Sequence, residues 1–565
     1  PIANPTNTWH LTDNLTLIHG RHNTRIGADL RRFHLSSTNA AFSRGSFSYS
    51  GVYSGNGFAD FLLGYPNSGV RDFPRNHFGL TDNQYHFYVQ DDFKIAPRLT
   101  LFLGLRYELN TLPRADQAQA GRFDPVLGKV VVSTLPDGQI NLSTQQVASI
   151  VYPTFRDVIM TAKEAGQPNN LQKMDHKQLA PRLGLAYRPF NNNRTVIRAS
   201  YGIFYVLQRG NPAVSTPIIN LPFILDESKS NTTPIPTFTT ASFFDAPFVF
   251  GTALINTFDT KLRPPYQQEW NLAIQHELLR NLALDVAYVG SKGSRLERTL
   301  PFNFAPPGSG SLQGRRPFPR FSGGGYYQNS GSSIYHSMQV KLEKRYSGGL
   351  SMLAAYTWAK LIDDLSGSFA DPRNPGLDRA LGDLDTPHRL VTSFSYELPL
   401  GKGKQFGGGI PSWANKVVGG WQLGGIVQYQ TGFPFTPVLG APDPANVGSE
   451  YARRPNRVGS GKLDHPTIDR YFDLSAFTVP APFTIGSSGR NILRGPGIKN
   501  WDLAIMKNTY ITERIYHQFR LELFNAWNTP QFRNPSTNVD PGSTGGRILG
   551  ARDPRIIQLA MKLYF

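Results

Sequence analysis

The closing segment of this chain, residues 556–565, divides cleanly by register. Ile557, Leu559, Met561, Leu563 and Phe565 fall on one side, and Gln558, Ala560 and Lys562 on the other. Successive side chains on a strand point to opposite faces, so this strand has a wholly apolar face and a wetter reverse. In a soluble sheet the apolar face must find a dry partner. A membrane barrel offers another solution, in which hydrocarbon takes the apolar side and a hydrated interior takes the other.

The same alternation recurs along the chain, with a period that helices cannot produce. Leu99, Leu101, Leu103, Leu105 and Tyr107 oppose Thr100, Gly104, Arg106 and Glu108. Tyr85, Phe87, Val89 and Phe93 oppose His86, Gln90, Asp92 and Lys94. Trp270, Leu272, Ile274 and Leu278 oppose Asn271, Gln275 and Glu277, and Met338, Val340 and Leu342 oppose Gln339, Lys341, Glu343 and Arg345. Phe519, Leu521 and Leu523 oppose Gln518, Arg520 and Glu522. About sixteen such segments are visible, each near the roughly ten residues a tilted barrel strand needs. Several apolar faces end in Tyr or Trp, as the aromatic girdles of membrane barrels do. The links alternate in length. Leu278 to Leu282 and Tyr346 to Leu350 are tight, whereas 206–264, 361–386 and 431–498 are long, polar and rich in Gly, Pro and Asn. Short turns at one rim and long loops at the other are the pattern of an outer-membrane barrel. The expected fold is therefore all-β: a large antiparallel transmembrane β-barrel with long extracellular loops.

Composition agrees. No run of eighteen apolar residues marks a membrane helix, and 37 Phe, 24 Tyr, 54 Gly and 43 Pro suit many strands joined by many turns. With no cysteine, disulfides, thiol catalysis and cysteine metal sites are excluded. The net charge of +18 is spread along the chain, with no basic tail or helix. That argues against nucleic acid and for phosphorylated outer-leaflet lipid, lipopolysaccharide included, as the anionic partner. Residue 1 is Pro, so the chain is expected to be the later part of a longer protein. Val147 to Gly166 alternates weakly and reads as a short helix within a loop. Phe58 to Gly64 reads as an apolar helical turn docked on the barrel.

The chain resembles the C-terminal barrel of TonB-dependent outer-membrane receptors of the Oar-like subfamily. The resemblance rests on segments in order: residues 57–64 (GFADFLLG), 88–93 (YVQDDF), 101–108 (LFLGLRYE), 180–184 (APRLG), 201–205 (YGIFY), 286–293 (VAYVGSKG), 355–360 (AYTWAK), 396–401 (YELPLG) and 489–497 (GRNILRGPG). It implies energised uptake of a solute across the outer membrane. It also implies a plug domain inside the barrel, an inner-membrane TonB complex reached through an N-terminal box, and insertion by the barrel assembly machinery. The plug, the box and the N-terminal β-sandwich of that subfamily have no counterpart here. Residues 1–21 are expected to be the end of an upstream barrel segment or loop, and 22–565 the C-terminal part of a barrel whose full complement is 22 strands.

No catalytic motif is present: there is no H-E-x-x-H, G-x-S-x-G or G-x-x-x-x-G-K-[ST]. No cofactor and no metal site are expected, and Gly401-Lys402-Gly403-Lys404 reads as a turn. Asp363, Asp364, Asp371, Asp378, Asp383 and Asp385 form the densest acidic stretch. Calcium could use such carboxylates, but the spacing is not that of an EF-hand, and Arg373, Arg379 and Arg389 are the expected partners. The candidate lumen- or plug-facing residues are Arg106, Glu108, Gln275, Glu277, Lys341, Glu343, Arg345, Arg520 and Glu522. Ile557, Leu559, Met561, Leu563 and Phe565 are the candidate membrane anchor. Phe433-Pro434-Phe435 and Tyr471-Phe472 either touch a ligand at the outer mouth or fold back to cap the barrel. Two other functions fit the residues less well: a passive pore or adhesion scaffold of the outer membrane, and a soluble basic all-β carbohydrate-binding protein.

Overall fold

The computed structural model describes residues 6–39, 45–73, 76–142, 147–206, 220–223, 225–231, 235–243, 252–365, 369–440, 442–448, 451, 453–512 and 514–565. Parts of the long loop 206–264 thus lie outside the described residues. Fifteen long strands make up the sheet: β1 (Thr6–His19), β2 (His22–Asn39), β3 (Asn76–Ala96), β4 (Leu99–Asn110), β5 (Leu179–Tyr187), β6 (Thr195–Tyr205), β7 (Tyr266–Leu279), β8 (Leu282–Phe302), β9 (Gly324–Ser347), β10 (Leu350–Asp363), β11 (His388–Glu397), β12 (Trp421–Gln430), β13 (Ile498–Tyr510), β14 (Tyr516–Phe524) and β15 (Ile556–Tyr564). Each pairs antiparallel with the next in the chain. Three two-residue strands at the edges of the loops bring the sheet to eighteen.

The long-strand count is fifteen rather than about sixteen, and the first of these strands lies within residues 1–21. Thr6–His19 pairs along its whole length with β2, and His19 faces His22 across a turn at Gly20, whose φ is 57°. Glycine adopts that left-handed conformation without the Cβ clash other residues meet. The boundary expected at residue 21 therefore lies inside a hairpin.

Connections sort by rim. Links 20–21, 97–98, 188–194, 280–281, 348–349 and 511–515 are short and lie at one rim. The link 398–420 lies there too but is longer, because it carries the helix Ser412–Val418. At the other rim stand 40–75, 111–178, 206–265, 303–323, 364–387, 431–497 and 525–555. The strand β15 thus runs from the long-loop rim to the short-turn rim, and so does β1.

The dry cores lie in the long loops, not between strand faces. One gathers Phe123, Val130, Val132, Val151, Phe155, Leu221, Phe223, Ile255 and Phe321 from three different loops. The segment 147–166 contributes to it through consecutive short helical turns ending in the strand Ile159–Thr161. A second gathers Phe435, Leu439, Phe472, Phe477 and Leu493. By contrast, Leu103, Leu183, Leu272, Ile274, Val286 and Trp358 on the strands are all exposed. The apolar flanks are not stacked against one another in a sandwich. A contiguous apolar surface of this extent needs a non-aqueous solvent, and the strand architecture makes that solvent lipid.

The apolar turn at residues 58–64 is the helix Gly57–Leu63, capped by the Asn56 side chain and by Gly64 at φ 71°. It is not docked by its apolar residues, since Phe58, Phe61, Leu62 and Leu63 are exposed. Asp60 is the residue it buries, accepting hydrogen bonds from Ser54 Oγ (2.6 Å) and the Ser54 amide (2.8 Å).

Candidate functional site

Register carries one face without interruption across the sheet. Gln90, Gly104, Arg182, Gly202, Glu269, Ser291, Tyr335 and Leu361 form a row in which each residue is the cross-strand partner of the next, from β3 to β10. All nine candidate residues lie on this polar face: Arg106 and Glu108 on β4, Gln275 and Glu277 on β7, Lys341, Glu343 and Arg345 on β9, and Arg520 and Glu522 on β14. A shallow cavity of about 880 Å³ opens on the row. Its floor is built from small residues, Gly104, Gly184, Ser200 and Gly202, and Arg182 and Arg198 stand over it. The Arg182 guanidinium lies 4.9 Å from the Phe204 ring centre, a cation–π arrangement.

The nine residues are not gathered into one site. They form separate ladders, because charges two apart on one strand share a face. Arg106 donates to Glu108 at 2.8 Å and to His86 Nδ1 at 2.8 Å. Gln275 accepts from Arg198 at 2.9 Å. Glu343 has Lys341 at 3.8 Å and Arg345 at 3.7 Å, all well exposed. Arg520 meets Glu522 at 3.2 Å.

The densest ladder extends beyond these residues. Asp29 takes a bidentate bond from Arg31 (2.8 and 2.7 Å), with His10 at 3.1 Å and Arg106 at 3.9 Å. His86, Asn110 and Gln178 continue it at 3.0 and 2.9 Å. The sequence signal for Asp29 and Arg31 is their alternation with Ile26, Ala28 and Leu30, weakened where Arg32 and His34 follow.

At the long-loop rim the acidic stretch is held by arginines, but largely not by those nearest in sequence. Arg373 does pair locally with Asp371 at 2.8 Å. Arg379 donates to Ser332 instead. The principal partners come from loop 431–497. Arg454 meets Asp378 at 2.8 Å, Arg490 meets Asp363 at 2.7 Å and Asp383 at 3.7 Å, and Arg494 meets Asp385 at 2.6 Å. Asn491 donates to Asp383 at 2.7 Å. Arg454, Arg490, Asp378 and Asp385 are buried. Burial pushes the Arg454 guanidinium below its ordinary value, and Asp378 pulls it back upward. Every carboxylate of the stretch is thereby committed to a partner, Asp364 included, which lies 3.6 Å from Arg298 and accepts from the Ser332 amide. The cluster locks loops 364–387 and 431–497 together.

The aromatic loop residues serve the same module. Phe435 and Phe472 are buried with ring centres 5.5 Å apart, so they form its core and are not displayed to a ligand.

Fifteen strands, two chemically opposite faces and two unlike rims define a membrane barrel wall. A family profile described as an outer membrane beta barrel domain matches residues 1–558. The chain belongs to that family, and its place is the outer membrane. No curated protein sequence matches it.

Among solved structures it is similar to the outer membrane transporter YddB from Escherichia coli, at 12% identity with a TM-score of 0.53, covering 100% of this chain and 55% of that one. It is also similar to the copper transporter OprC (9%, TM-score 0.46, 100% and 58%) and to the ferripyoverdine receptor of the outer membrane of Pseudomonas aeruginosa (11%, TM-score 0.46, 99% and 48%). The chain thus spans about half the length of these structures. At such identities the likeness is one of fold, and the two lower scores add nothing to it. A soluble carbohydrate-binding protein is excluded by the family and by the exposed apolar face.

Proposed function

We propose that this chain is the C-terminal part of the barrel of an outer-membrane receptor of the Oar-like, TonB-coupled kind, which takes up a solute and performs no covalent chemistry. The observation that carries the reading is the open sheet. Among the described residues β1 pairs only with β2 and β15 only with β14. Both edge strands run toward the short-turn rim, so direct pairing between them would be parallel. An all-antiparallel barrel then needs an odd number of further strands between β15 and β1. Seven would make 22, the number found in plugged outer-membrane transporters.

In this reading the polar ladders of β1–β4 hold a plug supplied by the rest of the protein, and the floor of small residues lets it approach the wall. The loops locked by Arg454, Arg490 and Arg494 form the solute's mouth. The partners are then that plug, the inner-membrane TonB complex, the barrel assembly machinery, outer-leaflet lipid and lipopolysaccharide, and an unidentified solute.

Binding of the full-length protein to the purified periplasmic domain of TonB tests the coupling. A saturable complex is expected. No complex, together with a steady ohmic conductance in planar bilayers, would replace the importer with a passive pore.

A further inference from the structure

The apolar face carries a feature that solute uptake does not use. Near the long-loop rim, on the outside of β8, β9 and β10, lies a groove of about 510 Å³ lined by Tyr288, His336, Met338, Trp358 and Lys360, with Arg494 and Asp385 at its upper wall. Its floor is fixed. Tyr288 Oη bonds His336 Nδ1 at 2.8 Å with the rings stacked. The Trp270 indole, beside the groove, donates to Tyr288 Oη at 3.4 Å.

Above the aromatic floor stand cations. His336 is the cross-strand partner of Lys360, and Lys292 pairs with Ile334, which in turn faces Ile362. Lys292, His336 and Lys360 therefore make a diagonal row on the outward face of three adjacent strands. Both lysines are exposed, and neither has an ion-pair partner among the described residues. The carboxylate nearby, Asp385, is buried and committed to Arg494. Two strand spacings and a two-residue stagger separate the lysine backbones by about 12 Å.

From this geometry we infer a binding site for a lipid of the outer leaflet that carries two phosphates on its head, a diphosphorylated glycolipid of the lipid A class. An acyl chain lies in the groove against Tyr288, Met338 and Trp358, continuous with the barrel's lipid-facing band. One phosphate meets Lys360 with His336, and the other meets Lys292. The spacing suits two anionic groups on one head better than a single phosphate. The inference depends on the barrel's place in the membrane and not on what the barrel transports.

The test is native mass spectrometry of the full-length protein, delipidated in detergent and titrated with diphosphorylated lipid A, monophosphorylated lipid A and phosphatidylglycerol. Wild type is expected to retain one diphosphorylated lipid A at least about tenfold more tightly than either other lipid. The double variant Lys292→Gln/Lys360→Gln should lose that preference while remaining heat-modifiable on gels. Lys402→Gln/Lys404→Gln, which removes the same charge at the opposite rim, should keep it. Equal retention of the three lipids by wild type overturns the site even if the double variant does not fold, and so does undiminished retention by a folded double variant.

Discussion

At the level of single residues, ion pairs in this molecule differ by where water is. Arg490 and Asp363 meet at 2.7 Å in a buried setting, whereas Arg345 is 78% exposed beside Glu343. Removing one partner of a buried pair strands the other charge and costs about 3–5 kcal/mol, while an exposed pair contributes about 0–1 kcal/mol. Arg490→Ala should therefore open loop 431–497 to limited proteolysis, and Arg345→Ala should leave the cleavage pattern unchanged. Asp124 supplies a pH prediction. Burial in its loop core opposes its ionisation, but bonds from Gln167, the Leu127 amide, Arg122 and the Val126 amide outweigh that and lower its pKa. A depressed folded pKa gives stability that is present above the unfolded value, about 3.9, and lost as pH falls through the folded value. Amide protection in residues 121–132, taken relative to the intrinsic exchange rate at each pH, should be steady from about pH 5 to 8 and fall below about pH 4. Asp124→Asn should flatten that acid dependence.

Strands and loops were unequally legible. Strands such as β4, β7 and β15 announce themselves because lipid on one side and water on the other impose a strict period of two. The strand β1 alternates Trp9, Leu11, Leu15 and Leu17 with Thr8, His10, Thr12, Asn14 and Thr16, but Asp13 interrupts its apolar face and weakens the signal. The acidic stretch and the 489–497 segment were each visible in the sequence, but their pairing was not. Arg490 and Asp363 are brought together only when two loops fold over the same rim. The loop cores were hidden for the same reason, since Phe123 and Ile255 come from distant segments. For β15 the two-faced reading makes a direct forecast. Leu559→Arg places a charge in hydrocarbon at a cost of about 2–4 kcal/mol near the bilayer midplane. Ala560→Glu, one residue on, meets the hydrated side opposite Arg520 at little cost. Heat-modifiable barrel should fall sharply in outer-membrane fractions for the first variant and hold for the second. Leu563→Asp or loss of Phe565 should likewise impair insertion.

Across the whole molecule, two solvents and the parity of the strands fix how the sheet is arranged. A structure of the full-length protein should show an upstream strand pairing antiparallel with β15, and an odd number of strands between it and β1. The most direct test is a nitroxide scan of β10 in the full-length protein in bilayers, which is practicable because this chain has no cysteine of its own. Single labels at Met352, Ala354, Tyr356 and Trp358 should be reached by oxygen and shielded from a water-soluble nickel chelate. Labels at Leu353, Ala355, Thr357 and Ala359 should show the reverse. An accessibility profile without a period of two, or with the two sets exchanged, would contradict the account.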